Sequence, residues 1–422
     1  MRGGEAEHLR VAFFNVFDRS SGAETLVRQT VEGLIARGVD ARLYALRRVT
    51  GAPYVHEFPL FPGERFVERK FRSVTGRNDF LFPSTLALGR RPWIKDADLW
   101  HFHNLHGHYV SIPWLAAESR KRPIVLSPVD QFLSTGYCPY TLGCERYRDA
   151  CGNCPQLDLP YPGIDRDSTS ALLRMKRAAL TESEFNILVH TDFLARHYAS
   201  TFVGSRPITR IHYGVDTRVF RPMERGACAA ALGVRPMRRF VVGLFHSFMD
   251  EKRKGLFPLL ELLRSRALEV PGRIEVFVVG NSSERAREYE TPEMPVTTLP
   301  FLRGDEELAT ALNLCDVLLY PTQAENLSMT CLAALACGVP IISSDVGGQP
   351  EAVRDAVNGF LCEPGDNDSV VERTLRLAGD AGLARRLSEG ARRTAVEEFD
   401  INTYIDNLIP YYEQVLRRDV DA

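Results

Sequence analysis

Residues 9–17, LRVAFFNVF, form a compact apolar run, and a turn at Ser21-Gly22 follows. TLVRQTVEGLIARG then spaces Leu26, Val31, Leu34 and Ile35 at helical intervals and stops at Gly38. VDARLYALRR returns to a strand pattern. This strand, loop, helix, strand order predicts the start of a doubly wound parallel sheet, where ligands sit at the carboxyl ends of the strands. ADLWHFH (97–103), PIVLSPV (123–129) and FNILVHT (185–191) are further strand candidates. A second series follows: RFVVGLFHSF (239–248), RIEVFVVGN (273–281), DVLLYPT (316–322) and VPIISSD (339–345). The helical stretches GLFPLLELLRSRAL, EELATALNL and NLSMTCLAALACG separate them. TYIDNLIPYYEQVLRR closes the chain as a long amphipathic helix. The pattern predicts an α/β fold of two Rossmann-like halves that face a cleft and join near 205–222, with no internal repeat.

Length agrees, since 422 residues suit two domains of roughly 200 residues each. Hydrophobic residues at 45% and charged residues at 25% are the balance of a folded protein. Lysine plus arginine, 52, nearly cancels aspartate plus glutamate, 54. Binding driven by phosphate neutralisation would need a basic excess, so no nucleic-acid partner is expected. No apolar run reaches the roughly 18–20 residues that span a bilayer. The start, MRGGEAEHLRVAFFNVF, carries acidic residues and runs into a strand, unlike a signal peptide. The expectation is a cytoplasmic α/β enzyme.

Particular segments carry a family likeness. IHYGVDTRVFRP (211–222), RKGL (253–256) and the block YPTQAENLSMTCLAALACGVPIISSDVGGQPEAVRDAVNGFLCEPGD (320–366) resemble nucleotide-sugar-dependent glycosyltransferases of the GT-B fold, family 4. HFHNLHGHY (101–109) and CPYTLGCERYRDACGNCPQL (138–157) are similar to a subgroup that builds exopolysaccharide and O-antigen chains, with a four-cysteine insertion. The resemblance implies an acceptor-side domain over 1–205, a nucleotide-sugar domain over 206–398, and a helix over 399–422 that crosses back to the first. It implies a retaining hexosyltransferase that needs no metal or other cofactor for catalysis. The sugar would move from a nucleotide diphosphate to a hydroxyl on a glycan, a lipid-linked or a secondary-metabolite acceptor, in polysaccharide or antibiotic biosynthesis.

Each site residue also has a physical reading. Gly22 lies between the first strand and helix, where a small residue lets backbone approach a donor phosphate or acceptor, or simply makes a tight turn. Arg253 and Lys254 would face the donor pyrophosphate, where fixed cations stabilise a developing leaving-group anion. Glu325 would hold the sugar hydroxyls, with the backbone amides of Asn326, Leu327 and Ser328 directed at phosphate or sugar from a helix start. Gly347 and Gly348 would line the donor site, or serve only as a turn. On the acceptor side, Asp130 would orient a hydroxyl, joined by His106. The sequence departs from the family in two places. Ala333 stands where a second glutamate usually holds the ribose, and Val129 where a histidine usually contacts the transferring sugar. These losses keep two other readings open: a catalytically degenerate GT-B partner subunit, and another enzyme on the same fold such as a nucleotide-sugar epimerase.

Four of the nine cysteines crowd into Cys138, Cys144, Cys151 and Cys154. A cluster of four that ends in CxxC suggests a structural tetrahedral zinc site, although its spacing is not a common zinc-ribbon one, with two disulfides or free buried thiols as the alternatives. Cys228, Cys315, Cys331, Cys337 and Cys362 read as ordinary small core residues. His101 and His103 read as hydrogen-bonded strand histidines rather than metal ligands. Asp96-Ala97-Asp98 matches a manganese-binding pattern but precedes a strand, and Asp366-Asn367-Asp368 sits in a polar loop; neither is expected to bind metal. ERFVERKFRSVTGR (64–77) is a basic stretch that suits peripheral contact with the inner face of a membrane, or a solvated surface. Oligomeric state has no sequence signal.

Overall fold

The computed structural model describes residues 9–19, 22–78, 81–157, 166–248, 250–268 and 272–420. Contacts divide the chain into two compact units: Met1–His212 with Ile405–Ala422, and Tyr213–Tyr404.

The first unit is built on seven parallel strands: β1 (Arg10–Phe17), β2 (Asp40–Arg47), β3 (Val55–Glu57), β4 (Leu99–His103), β5 (Ile124–Ser127), β6 (Asn186–Val189) and β7 (Ile208–Arg210). Their order is β3-β2-β1-β4-β5-β6-β7, and Phe13 of β1 pairs with Leu43 on one side and His101 on the other. The order reverses direction between β1 and β4, which is the switch point where doubly wound sheets bind ligands. The second unit repeats the plan with β8 (Phe240–Phe248), β9 (Ile274–Asn281), β10 (Val296–Leu299), β11 (Val317–Tyr320), β12 (Ile341–Ser344) and β13 (Gly359–Cys362), ordered β10-β9-β8-β11-β12-β13. Its switch point lies between β8 and β11.

The central strands are buried on both faces, as parallel sheets covered by helices must be. Val11, Phe13, Leu99, Phe102, Ile187 and Leu188 are fully covered in the first unit, and Val242, Leu244, Val278, Leu318 and Ile342 in the second. That is why they read as compact apolar runs. β3, β7 and β10 escaped the sequence reading because edge strands keep one row exposed and carry polar residues. Tyr412, in the helix Ile401–Val420, meets His101 Nδ1 through its hydroxyl at 2.6 Å. Gly33 packs beneath that helix, where a Cβ would lie 2.7 Å from Ile405 Cγ1 and force that side chain to shift. Among the described residues no helix is long and apolar enough to cross a membrane.

Candidate functional site

In the second unit, three loops at carboxyl ends of strands converge. After β8, a 3-10 turn over Lys252–Lys254 leads into the helix Leu256–Ala267. Gly255 makes that junction with φ of 67°, and a Cβ would lie 2.5 Å from the Pro321 carbonyl oxygen after β11. Lys254 is thereby carried to Glu325. Its Nζ donates to Glu325 Oε2 at 2.6 Å and to the Tyr320 hydroxyl at 2.9 Å. Tyr320 in turn donates to Glu325 Oε2 at 2.9 Å. Arg253 Nη1 lies 3.6 Å from the same oxygen, while its Nε donates to Glu251 at 2.7 Å. Burial alone would raise the Glu325 pKa; Lys254 and Arg253, with hydrogen bonds from Lys254 and Tyr320, outweigh it and bring the value to about 2.

The loop after β12 closes on this cluster. Gly348 N–H donates to the Asn326 carbonyl at 2.5 Å. Gly347 has φ of 60°, and a Cβ would sit 1.7 Å from the Glu325 carbonyl oxygen. Only glycine fits, so its role exceeds that of a turn.

The helix over Met329–Ala336 begins later than expected. Glu325, Asn326 and Leu327 precede it, and Ser328 is its N-cap, accepting from Cys331 N at 3.3 Å. The Ser328 amide already donates to Gln349 Oε1 at 3.0 Å, so the expectation that it points at a ligand needs correction. The Leu327 carbonyl accepts from the Tyr213 hydroxyl. Ala333 is buried in the middle of this helix. Two residues absent from the sequence reading belong to the cluster. Tyr320 is the last residue of β11, and His246 is buried with its ring 4.8 Å from that of Tyr320. Burial first, and Lys254 next, push the His246 pKa well below its usual value. The apolar runs containing them gave no hint of a polar role.

In the first unit, the loops after β4 and β5 bring His106 and Asp130 together, with Nδ1 to Oδ2 at 2.8 Å. Asp130 is buried, and its other oxygen accepts from Phe132 N at 2.9 Å. The Tyr198 hydroxyl holds the Asp130 carbonyl. Val129 is half-buried beside it. Gly22 is the first residue of the helix Gly22–Ile35; Ser21 lies outside the described residues. A cavity of about 710 Å³ opens beside His106, lined also by Glu24, Asn104, His108, Glu68 and the arginines 47, 65, 69 and 72. Three of these arginines come from the helix Glu64–Thr75, the basic stretch of the sequence, which also exposes Phe66, Val67 and Val74. Burial, then the charge of Arg47, lowers the Arg65 pKa.

His101 and His103 lie inside the sheet. His101 has its Tyr412 bond, but neither ring nitrogen of His103 has a partner among the described residues, so a hydrogen-bonded role holds for His101 alone. Asp98 accepts from Arg10 N at 2.8 Å, and Asp366 caps the helix Asn367–Gly379 by accepting from Ser369 N at 3.0 Å. The five scattered cysteines are buried, whereas Cys138, Cys144, Cys151 and Cys154 are half-buried.

Comparison with known proteins follows the same division. The family described as glycosyl transferases group 1 matches residues 247–394, and Glycosyltransferase Family 4 matches residues 20–219. N-acetyl-alpha-D-glucosaminyl L-malate synthase of Bacillus anthracis is 34% identical over 119 residues, 28% of this chain and 31% of that protein. D-inositol 3-phosphate glycosyltransferase of Mycobacterium tuberculosis is 32% identical over 246 residues, 54% of this chain and 48% of that protein. The chain thus spans less than half the length of these curated relatives. Among solved structures, sucrose-phosphate synthase of Thermosynechococcus elongatus aligns with a TM-score of 0.71 at 18% identity, over 97% of this chain and 100% of that one. HepE of Anabaena, solved in complex with UDP-glucose, aligns with a TM-score of 0.68 at 16% identity, over 96% and 100%. The likeness to these structures gives the fold, the two family matches fall one on each half, and together they place the chain among the GT-B glycosyltransferases of the family 4 type.

Proposed function

We propose that this chain transfers a hexosyl group from a nucleotide-diphosphate sugar to an acceptor hydroxyl, with retention at the sugar and without a catalytic metal. The observation that carries the reading is the Arg253, Lys254, Tyr320 and Glu325 cluster at the switch point of the second sheet. As the sugar–phosphate bond breaks, negative charge gathers on the departing diphosphate. Cations already fixed by Glu325 and Glu251 stabilise that charge with little reorganisation. Glu325 also presents a carboxylate for sugar hydroxyls. In a retaining reaction on one face of the sugar, the departing phosphate takes the acceptor proton, so a strong protein base is not required. UDP-glucose bound to HepE favours a nucleotide-sugar donor.

His106 and Asp130 then serve the acceptor. Asp130 takes the Nδ1 proton of His106 in a hydrogen bond, which fixes the tautomer and leaves Nε2 to receive a bond from the acceptor hydroxyl. Arg47, Arg65 and Arg69 of the adjoining cavity suit an acceptor that carries phosphate or carboxylate, while Arg72 is paired with Glu68 at 3.2 Å. Two relatives are named for such molecules, L-malate and inositol 3-phosphate. Glycan, lipid-linked and secondary-metabolite hydroxyls all fall within this class when they bear an anionic group.

A thermal-shift series with UDP-, GDP-, TDP- and ADP-sugars tests the donor half, since a ligand of the native state raises its midpoint. A rise with one donor is expected, and Lys254→Ala should abolish it. No rise with any donor, in the absence and presence of a candidate partner transferase, would favour the degenerate-subunit reading that Ala333 motivates. Release of free epimerised nucleotide sugar in water alone would favour the epimerase.

A further inference from the structure

We propose that Cys138, Cys144, Cys151 and Cys154 hold one structural zinc ion, and that this ion pins the loop bearing Asp130. All four cysteines are free and line the same small cavity of about 20 Å³, together with Tyr137, Tyr147 and Thr169. That is room for one water-sized occupant.

The surrounding segment is irregular and is held mainly by polar contacts, among them Gly152 N to Thr169 Oγ1 at 2.9 Å and Cys154 N to Asp167 Oδ2 at 2.8 Å. Between Gly136 and Leu157 the only regular element among the described residues is a 3-10 turn over Arg146–Arg148. Its local core is Tyr137 and Leu172, with Leu157 and Met175 packed against them. So small an apolar cluster contributes little toward the entropy of ordering about 20 residues, and a bound metal is one device that stiffens irregular segments of this kind. The Cys151-Gly152-Asn153-Cys154 turn has φ of 51°, 92° and 46° over its first three residues. Two of those are left-handed non-glycine residues, a costly arrangement for a free loop. The turn directs sulfurs toward amides: Gly136 N–H bonds to Cys151 and Gln156 N–H to Cys154. Such amides offset charge on metal-bound thiolates. Lys176, buried and donating to the Phe132 and Thr135 carbonyls at 2.8 and 3.0 Å, adds a cation near Cys138 and Cys151. The sulfurs are not ligand-spaced as they stand. Zn–S bonds of about 2.3 Å require the four sulfurs to move closer around the cavity they share.

The link to Asp130 is direct. Gln131 N donates to the Pro139 carbonyl at 2.7 Å, and Gln131 Oε1 accepts from Thr141 N at 2.9 Å. Thr135 Oγ1 donates to the Cys138 carbonyl at 2.6 Å. Fixing the cysteines therefore fixes the residue that follows Asp130, and with it the Asp130–His106 pair.

The full-length chain, purified under reducing conditions without chelator, should contain one zinc by elemental analysis. An organomercurial should release it as four equivalents form mercury–sulfur bonds with the four thiolates. Cobalt substitution should give thiolate-to-metal charge-transfer bands and the intense visible bands of a tetrahedral site. This readout needs no variant, so it stands even where Cys151→Ser/Cys154→Ser fails to fold; where the variant folds, it should lose the zinc. Absence of metal with four reactive thiols, an intact mass four hydrogens lower from two disulfides, or iron with visible absorbance would each overturn the assignment. Zinc removal from a chain that stays folded by circular dichroism should shift the His106 imidazole resonances and leave those of His56 in place. Unmoved His106 resonances would remove the link to Asp130.

Discussion

Glu325 Oε2 receives Lys254 and Tyr320 together, with Arg253 nearby, and consequences follow at the scale of single residues. Lys254→Ala removes one member of a buried pair and leaves the carboxylate short of its partner, a change that typically costs roughly 3 kcal/mol or more. Turnover should fall at least ~100-fold, about 2.7 kcal/mol of transition-state stabilisation. Comparing kcat with the urea midpoint separates the two effects, and an undiminished kcat would remove Lys254 from the mechanism. Because the Glu325 pKa is depressed to about 2, its contribution to stability is complete above its unfolded value near ~4.3 and is lost as pH falls toward about 2. The midpoint difference between wild type and Glu325→Gln should therefore be large near neutrality and shrink in acid. A difference that stays constant to pH ~3 would contradict the depressed value. Gly347→Ala faces both a left-handed φ and a carbonyl at 1.7 Å, so it should displace the loop, cost roughly 1–3 kcal/mol and weaken donor binding. Arg253, Lys254 and Glu325 were each legible as polar residues following apolar strands. Their convergence was not, because Lys254 and Glu325 are 71 positions apart and nothing local couples them.

Among the elements, the helix Met329–Ala336 shows how position rather than propensity decides a structure. From Cys331 to Ala336 every residue is buried, so it lacks the exposed charged face that helps define most helix boundaries. Ser328 sets its start instead. Ser328→Ala should lower stability by about 1 kcal/mol, measured by urea unfolding, and Ser328→Asp should recover part of the loss. The strands inside each sheet were readable because two covered faces demand continuous apolar residues. β3, β7 and β10 were not, since a single hydrogen-bonded neighbour leaves room for polar side chains. The basic stretch at 64–77 was legible as charge alone. Folding places Arg65, Arg69 and Arg72 of its helix beside His106 at one cavity, a convergence that the charge along the chain does not announce.

At the scale of the whole molecule, the C-terminal residues 405–422 complete the first unit although they come last in sequence. Ile405, Leu408, Tyr412 and Val415 are buried there, and burial of such side chains is worth about 1.5–3 kcal/mol each. A chain ending at Tyr404 should lose the cooperative unfolding transition of the first unit in calorimetry. Tyr412→Phe, which strips the partner from buried His101, should cost about 1–2 kcal/mol and keep the fold. Hydrophobic periodicity by itself determined the α/β class, the two sheets and the interior strands, because burial in a parallel sheet is imposed residue by residue along the chain. The motif block at 320–366 and the segment at 101–109 marked the loops that matter. Tertiary structure alone decided which of those loops meet: Glu325 with Lys254, Gly347 beneath the Glu325 carbonyl, and His106 with Asp130. Such pairings are set by strand order, and strand order depends on which elements pack side by side rather than on any neighbour in sequence.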